Sequence, residues 1–425
     1  MRVRAGILVT GTEVLNGAIS DRNGPWISER LAELGIEVTQ ITVVGDRPED
    51  LERALVAMRE QGTDLIFTSG GLGPTADDLT AEVVARFAGR ELVLDEAMEA
   101  RIAEIISGFA TRMRFDPEAL RAANRKQALV PEGATALDPV GTAPGLVVPA
   151  GEQAVVVLPG PPRELQAMWP RALETEAVRA VLARTEPLET TSIKMFGVPE
   201  SELAKALGEI EAEADLAPLE ITTCLRGGEL VTDVRHRPGG EGALQALLGG
   251  LDRRLGRFTY STSGQAIEEV ITSLIDGRSL AVAESCTGGM LAARLTDRSG
   301  ASAWFAGGAV TYSDSSKAEL LGVDPDLLAS HGAVSPEVAE AMADGALARF
   351  GADVACSVTG IAGPEGGTEE KPVGYVCFCA KLASGEKLAR DPVLPGAARA
   401  DIRERSVVVA LHMIRFLLEG REPPR

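Results

Sequence analysis

The chain has 425 residues, 45% of them hydrophobic and 24% charged, a balance typical of a globular protein with two or three domains. Its formal net charge of -20 argues against a nucleic-acid backbone or an anionic membrane as the main partner, because both select for basic surfaces. A small anionic ligand remains compatible with this charge, because it needs only a few local cations or a helix N-terminus.

Membrane spans, export signals and cysteine frameworks are not indicated by the sequence. No apolar run approaches the ~20 residues of a membrane span, and the start has no long apolar stretch followed by a cleavage site. We therefore expect a cytoplasmic protein. The five cysteines include no CxxC pair and the three histidines lie far apart, so we expect neither a disulfide framework nor an all-histidine zinc site.

Residues 1–172 alternate between apolar runs typical of strands and periodic runs typical of helices. Three predicted helices stop at Gly35, Gly62 and Gly89, and an irregular stretch over 95–130 is also predicted to be helical. Such alternation implies a parallel sheet that is covered by helices on both faces.

Residues 185–258 show a different pattern, which predicts a small α+β domain with one hairpin across Gly227 and Gly228. We find no clustered chemistry in this region. Its basic residues are interpreted as a solvated face rather than a binding patch: Lys194, Arg226, Arg235 and Arg237.

Residues 262–425 return to strand–helix alternation and predict a second α/β domain. The pattern over 279–285 is that of a strand, and Ser335 followed by Pro336 marks a helix start. The predicted fold class is therefore α/β, with two three-layer α/β domains joined by a small α+β domain.

The segment GGLGPTADDLT (70–80) follows a buried-type strand and precedes a helix, where ligands of open α/β sheets bind. Its glycines let backbone N–H groups approach an anion, although the segment matches neither a Walker A loop nor a GxGxxG fingerprint. Asp77 and Asp78 would repel a bare phosphate unless a hard cation lay between them. The alternative is that glycine and aspartate merely form a turn and cap the helix.

TGTE (10–13), VGD (44–46), GGLGPTADDLT and PGPPRELQAMWP (159–170) resemble the N-terminal domain of the CinA family of competence/damage-inducible proteins. That domain is similar to the molybdopterin-binding fold, and the resemblance implies metal-dependent cleavage of ADP-ribose to AMP and ribose 5-phosphate. Val14–Gly17 departs from the usual Leu-Leu-Leu-Gly of the family. The implied phosphate or substrate contacts are Glu13, Gly70, Gly71, Gly73 and Thr75. The implied ligands of a divalent metal are Asp46, Asp77 and Asp78, although the resemblance leaves open which of the acids hold the metal and which hold ribose hydroxyls.

The stretch AESCTGG (283–289) carries a strand into a turn, where Gly288 and Gly289 open a helix. Neighbouring strand residues point to opposite faces, and cysteine is the more core-prone type, so Ser285 is modestly favoured over Cys286 as the nucleophile. Backbone amides over 286–289 are candidates for holding an oxyanion or a phosphate.

A serine nucleophile needs a base, and two candidates follow in the chain. His331 precedes a helix, where a capping role is favoured. Lys317 lies 32 residues after Ser285, and serine–lysine pairs are a known variant of the triad, provided that the lysine is neutral. A solvated residue at a helix start is an equally good interpretation of Lys317.

AESCTGG and the segments at 300–323, 331–335, 357–367 and 369–374 resemble the C-terminal domain of the CinA family, a PncC-type nicotinamide mononucleotide deamidase. The resemblance implies hydrolysis of the amide to a carboxylate with loss of ammonia. It implies Ser285 as nucleophile and Lys317 as base. The remaining implied site residues are Ser302, Tyr312, Thr359 and Arg399, with substrate contacts from Cys286, Thr287, Gly288, Gly289, Gly360 and Arg403.

The glycines of GIAGPEGG (360–367) fit either close approach to a flat pyridine ring or a plain turn between strands. The resemblance further implies small nucleotides as partners, no cofactor for the deamidase, and a homodimer. Two alternatives stay open: an N-terminal domain that only binds a nucleotide or pterin, and a molybdenum-cofactor transferase.

Overall fold

The computed structural model describes residues 3–110, 117–186, 188–396 and 398–424. Part of the helical prediction over 95–130 therefore lies outside the described residues. The chain divides into two compact units, Met1–Glu189 and Thr190–Arg425. The predicted boundaries of three domains, 1–172, 185–258 and 262–425, stay a prediction.

The first unit contains a six-stranded sheet whose strand order is β2-β1-β3-β8-β7-β6. Its elements in chain order are β1 (Arg4–Thr10), α1 (Thr12–Leu15), α2 (Asn23–Glu33), β2 (Glu37–Val44), α3 (Pro48–Glu60), β3 (Leu65–Ser69), α4 (Thr80–Phe87), β4 (Leu92–Leu94), α5 (Glu96–Ala110), α6 (Pro117–Gln127), β5 (Leu129–Pro131), β6 (Thr135–Leu137), β7 (Gly145–Ala150), β8 (Gln153–Leu158), α7 (Pro162–Leu173) and α8 (Glu176–Leu182).

This sheet is mixed, which corrects the prediction of a parallel sheet. Strands β2, β1, β3 and β8 run parallel, whereas β7 pairs antiparallel with both β8 and β6. Ala150 pairs with Gln153, so only two residues join β7 to β8, and such a tight turn can connect antiparallel strands only. Both faces of the sheet are covered, because Leu65 and Phe67 pack into one core and Ile66 into another.

The second unit contains a four-stranded and a five-stranded sheet. Its elements in chain order are β9 (Glu189–Phe196), α9 (Glu200–Glu211), β10 (Leu219–Arg226), β11 (Glu229–His236), α10 (Glu241–Leu255), β12 (Thr259–Ser261), α11 (Ile267–Ile275), β13 (Leu280–Glu284), α12 (Met290–Thr296), a 3-10 helix (Ala301–Ala303), β14 (Phe305–Val310), α13 (Asp314–Leu321), α14 (Pro325–His331), α15 (Pro336–Phe350), β15 (Val354–Gly360), β16 (Val376–Leu382), β17 (Lys387–Arg390) and α16 (Arg399–Glu419).

The four-stranded sheet has the order β10-β11-β9-β12, and Arg226 pairs with Glu229 across Gly227 and Gly228, which confirms the predicted hairpin. The five-stranded sheet has the order β14-β13-β15-β16-β17, with β13 parallel to both of its neighbours. Val282 packs against α11, α12 and α16, whereas Ala281 and Ala283 face α13, α14 and α15. The predicted α/β class with three layers is confirmed.

None of the helices among the described residues combines the length and the hydropathy that a membrane crossing requires.

Candidate active sites

Ser285 lies at the carboxyl end of β13, the central parallel strand of the five-stranded sheet. Its amide donates to Val358 O at 2.9 Å, which extends the pairing with β15 by one residue. The chain then reverses, because Gly288 (φ 59°) and Gly289 (φ 95°) adopt left-handed conformations that favour glycine. A hydrogen bond from Gly288 N to Ser285 O at 3.1 Å closes this turn.

Lys317 lies in the first half of α13, with Nζ 3.3 Å from Ser285 Oγ. The same Nζ donates to Thr311 O at 2.9 Å, and the residue is only 1% exposed. Burial lowers the pKa of Lys317, and the nearby charge of Asp314 opposes this shift only in part. Within the described residues no carboxylate forms an ion pair with Lys317, so the structure does not support the alternative of a solvated helix-start residue.

The Cys286 side chain is buried in the core formed with α11, α12 and α16. Burial raises the pKa of its thiol to about 12, so the thiol stays protonated near neutral pH. His331 lies at the end of α14, with its Nδ1 3.4 Å from Glu337 Oε2. Lys317 is therefore the base candidate that the structure brings to Ser285.

The carboxylate of Glu284, which is 1% exposed, caps the N-terminus of α12. It accepts hydrogen bonds from the amides of Gly289 at 3.0 Å, Leu291 at 3.1 Å and Ala292 at 2.8 Å. The amides of Gly288 and Gly289 thus have acceptors already, which corrects the expectation that the whole 286–289 turn is free to hold an anion. In the described part of the chain, the amides of Cys286 and Thr287 have no oxygen acceptor.

Two arginines of α16, Arg399 and Arg403, lie near Ser285 and contact different groups. Arg399 is exposed and donates to Gly363 O at 2.8 Å and to Tyr312 Oη at 2.5 Å. Tyr312 is exposed too, so the two side chains lie together at the solvent-facing rim of the site around Ser285. Arg403 donates to the carbonyl oxygens of Cys286 at 3.0 Å and Thr287 at 2.9 Å. Arg403 therefore holds the turn itself, and its role as a substrate contact stays a prediction.

Three further predicted site residues differ in their burial and their contacts: Thr359, Ser302 and Gly360. Thr359 is buried and donates to Ala333 O at 2.8 Å, whereas Ser302 is exposed and makes no hydrogen bond to Ser285 or Lys317 among the described residues. A Cβ atom on Gly360 would lie 2.7 Å from Val376, so strand packing already accounts for that glycine. This close packing of Gly360 favours the interpretation of GIAGPEGG as a turn between strands over a surface for a pyridine ring.

In the first unit, the carboxyl ends of β1, β3 and β8 surround a cleft of about 370 Å³. This is the edge at which ligands of open α/β sheets bind. The sequence-predicted residues that line the cleft are Glu13, Asp46, Gly70, Gly71, Gly73, Asp77 and Asp78.

The glycines at this edge have packing reasons of their own. Gly70 (φ 104°) and Gly71 (φ 68°) adopt left-handed conformations, and a Cβ atom on either would collide with Thr10 or Thr80. The Gly70 amide donates to Leu158 O at 3.0 Å. The phosphate-binding role of these glycines stays a prediction.

The acidic groups of the cleft are partly engaged by neighbouring threonines. Asp46 accepts from Thr12 N at 2.9 Å and Thr12 Oγ1 at 2.7 Å, and Asp78 accepts from Thr75 N at 2.9 Å. The Thr75 hydroxyl also donates to Asp78, and Thr75 is not among the residues that line the cleft, so its predicted contact with a ligand stays a prediction. A hydrogen bond from Thr75 holds the pKa of Asp77 below its ordinary value.

The described residues contain no group of three or more histidine, cysteine or acidic side chains arranged to hold a metal. Asp46, Asp77 and Asp78 have the oxygen donors that a hard cation prefers, but they do not form a complete metal site by themselves. A divalent cation would need additional ligands, such as those that a diphosphate brings with it.

Comparison with known proteins identifies both regions. Residues 6–179 match the family described as probable molybdopterin binding domain, and residues 264–418 match the CinA C-terminal domain. The CinA-like protein of Mycobacterium sp. (strain MCS) is 57% identical over 423 residues, 99% of this chain and 100% of that protein. The chain belongs to the CinA family.

A second mycobacterial protein and one solved structure are also similar to this chain. The CinA-like protein of Mycobacterium tuberculosis (strain ATCC 25177 / H37Ra) is 54% identical over 422 residues, 98% of each chain. The solved competence/damage inducible protein CihA from Agrobacterium tumefaciens is 42% identical, with a TM-score of 0.34, and covers 36% of this chain and 94% of its own.

Three residues of this CinA-family chain were missed by sequence reasoning. Thr142 and Glu164 line the cleft of the first unit, and burial raises the pKa of Glu164. The signal for Glu164 was its place two residues into α7, directly after β8, where site residues are expected. No local sequence pattern indicated Glu284. It caps amides five to eight residues further along the chain, whereas a side chain that caps a helix usually bonds to the amide three residues ahead.

Proposed function

We propose that the second unit hydrolyses the carboxamide of nicotinamide mononucleotide to nicotinate mononucleotide and ammonia. The observation that carries this proposal is the buried Lys317 amine, 3.3 Å from the Ser285 hydroxyl and without an acidic ion-pair partner in the described chain. A serine paired with a neutral amine is suited to acyl transfer. The identity of the substrate rests on the motifs shared with the CinA family.

In the first half of the reaction, Ser285 Oγ attacks the carboxamide carbon while neutral Lys317 accepts the hydroxyl proton. The amides of Cys286 and Thr287 are the candidates to stabilise the oxyanion that forms, because their N–H groups have no oxygen acceptor in the described chain. Breakdown of the tetrahedral intermediate breaks the carbon–nitrogen bond, and Lys317 returns the proton to the departing ammonia. The product of this half is a Ser285 ester of the pyridine carboxylate.

In the second half, water attacks the ester carbon and Lys317 accepts a proton from that water. Collapse of the second intermediate returns that proton to Ser285 Oγ and releases the carboxylic acid, which loses its remaining proton to solvent and becomes the carboxylate. Arg399 and Tyr312 lie at the rim and, as a cationic and a hydroxyl group, are suited to bind the phosphate of the mononucleotide.

We further propose that the first unit binds a nucleotide diphosphate together with a divalent cation and cleaves ADP-ribose to AMP and ribose 5-phosphate. The supporting observation is the cleft that combines the backbone of Gly70, Gly71 and Gly73 with the acids Asp77 and Asp78. Asp77 and Asp78 would contribute oxygen ligands to the cation, and the diphosphate would supply others, because no complete metal site is present among the described side chains. A cleft that only binds the nucleotide or a pterin is the competing hypothesis.

A single experiment with purified full-length protein tests both proposals. Ser285→Ala should abolish ammonia release from nicotinamide mononucleotide and leave metal-dependent AMP release from ADP-ribose unchanged. Asp78→Asn keeps the size of the side chain but removes its charge, and it should have the opposite effect.

Cys286→Ala is the matched control for the nucleophile, and it should keep ammonia release. Ammonia release by Ser285→Ala but not by Cys286→Ala would refute the assignment. Binding of ADP-ribose without any AMP would favour the binding-only hypothesis for the first unit.

A further inference from the structure

We infer that Arg403 is a positioning residue that fixes the peptide groups after Ser285 so that the Thr287 amide can receive the oxyanion. This inference rests on the deamidase reaction proposed for the second unit. Arg403 lies 117 residues from Cys286 in the chain, and the family resemblance implied that either Arg399 or Arg403 contacts the substrate.

The guanidinium group of Arg403 holds two consecutive carbonyls. Its Nε donates to Cys286 O at 3.0 Å and its Nη2 to Thr287 O at 2.9 Å. Gly288 leaves room for this approach, because a Cβ atom there would make a tight contact of 3.3 Å with Arg403 Nη2. The planar fork of arginine can hold two acceptors in a fixed geometry, which a single ammonium group cannot do.

Fixing a carbonyl also fixes the next amide. The Cys286–Thr287 peptide is trans, so the Thr287 N–H points opposite to the Cys286 carbonyl and therefore away from Arg403. In the following peptide, the Gly288 N–H is already bonded to Ser285 O at 3.1 Å. The Thr287 amide is thus oriented by Arg403 and has no oxygen acceptor of its own in the described chain.

The positive charge of Arg403 also strengthens that amide as a donor. A hydrogen bond from a cation to a peptide carbonyl polarises the peptide, and donors in such chains strengthen one another. The gain is largest when the group facing the amide becomes negative, which happens in the tetrahedral intermediate and not in the bound carboxamide. Arg403 should therefore act on kcat rather than on KM.

The opposite kinetic effect is expected from Arg399, which lies at the same end of α16. It is exposed and contacts Tyr312 and the Gly363 carbonyl, with no bond to the turn after Ser285 among the described residues. Its loss should raise KM for nicotinamide mononucleotide and lower kcat much less. The two arginines thus form a matched pair one helical turn apart.

The test measures ammonia release from nicotinamide mononucleotide by full-length Arg403→Ala, Arg403→Lys and Arg399→Ala. Arg403→Ala should lower kcat by about 10²-fold, as loss of an oxyanion donor does, with KM changed less than about twofold. Arg403→Lys keeps the charge but not the fork, and about a tenfold loss of kcat is expected from it. Glu404→Gln, at an exposed position of α16, should behave as the unaltered chain does.

A second readout uses pyridine-3-boronic acid, whose boron forms a tetrahedral adduct with a serine oxygen. If Arg403 serves the oxyanion, the inhibition constant of this probe rises in each Arg403 variant by about the factor by which kcat falls. A merely structural role would not produce that proportionality. If Arg403→Ala does not fold, the same comparison of kcat with the inhibition constant in Arg403→Lys decides whether Arg403 serves the oxyanion.

The outcomes separate the two levels of inference. Retained kcat in both Arg403 variants, or a rise in KM alone, overturns the positioning role while the deamidase stands. Absence of ammonia release from the unaltered chain removes the proposed function and this inference with it.

Discussion

Replacement of Glu284 by glutamine tests how much the internal cap of α12 stabilises the turn after Ser285. The carboxylate accepts three amide hydrogen bonds, two at Oε2 and one at Oε1. Glutamine can keep the two bonds at its carbonyl oxygen, but its NH₂ group then faces the N–H of Ala292. One unsatisfied buried amide costs about 1–3 kcal/mol, and loss of a charge at a helix N-terminus costs about 0.3–2 kcal/mol.

Relief of the desolvation of the buried carboxylate opposes these costs, so we expect a net loss of about 2 kcal/mol in local stability. That loss corresponds to about a 30-fold faster exchange of the α12 amides, if local opening controls their exchange. The measurement is hydrogen exchange by mass spectrometry on full-length Glu284→Gln, followed on peptides that cover 284–296. The exposed Glu404→Gln is the matched control, and equal exchange in the two variants would refute the role of the Glu284 cap.

Two further predictions follow from a buried amine and a crowded glycine. Because burial lowers the pKa of Lys317, the neutral base is populated as pH rises through that lowered pKa, so kcat for ammonia release should climb with pH there. Lys317→Arg, which stays protonated, should lose about 10²–10⁴-fold across the profile, and a variant as active as the unaltered chain would exclude Lys317 as the base. Gly71→Ala should lower the free energy of unfolding of the first unit by about 2–4 kcal/mol in urea titrations, because it adds a collision with Thr80 to the left-handed strain. Gly89→Ala has a similar φ and no neighbour within 4 Å, so it should cost only about 1 kcal/mol, and equal losses would contradict the packing argument.

The α/β class could be predicted because apolar periodicity reports the two-sided burial of each strand. Apolar periodicity does not report the direction of a strand, and for this reason the sheet of the first unit was wrongly expected to be parallel. The two-residue connection at Gly151 and Glu152 was the available clue, since no parallel pair can be joined so tightly.

The candidate nucleophile could be separated from Cys286 by strand alternation, because that rule depends only on neighbouring residues. The environment of Lys317 could not be predicted, since its burial depends on how α13 packs against the sheet. The contact of Arg403 with the turn joins residues more than one hundred positions apart, and no local pattern encodes it. The resemblance to the CinA family named Arg403 but could not distinguish a group that binds substrate from one that holds the backbone.

Small molecules designed against Ser285 would meet a helix whose N-terminus is already neutralised from within by Glu284. An inhibitor that places a carboxylate or a phosphate there, as is common for helix N-termini, would find the amides of Gly289, Leu291 and Ala292 already bonded and would face a buried carboxylate. A compound should instead carry at Ser285 an uncharged electrophile that becomes anionic only after it bonds to the serine, and should place any phosphate near Arg399 and Tyr312. The position of one acid thus sets the charge that the reactive group of a ligand should carry next to Ser285.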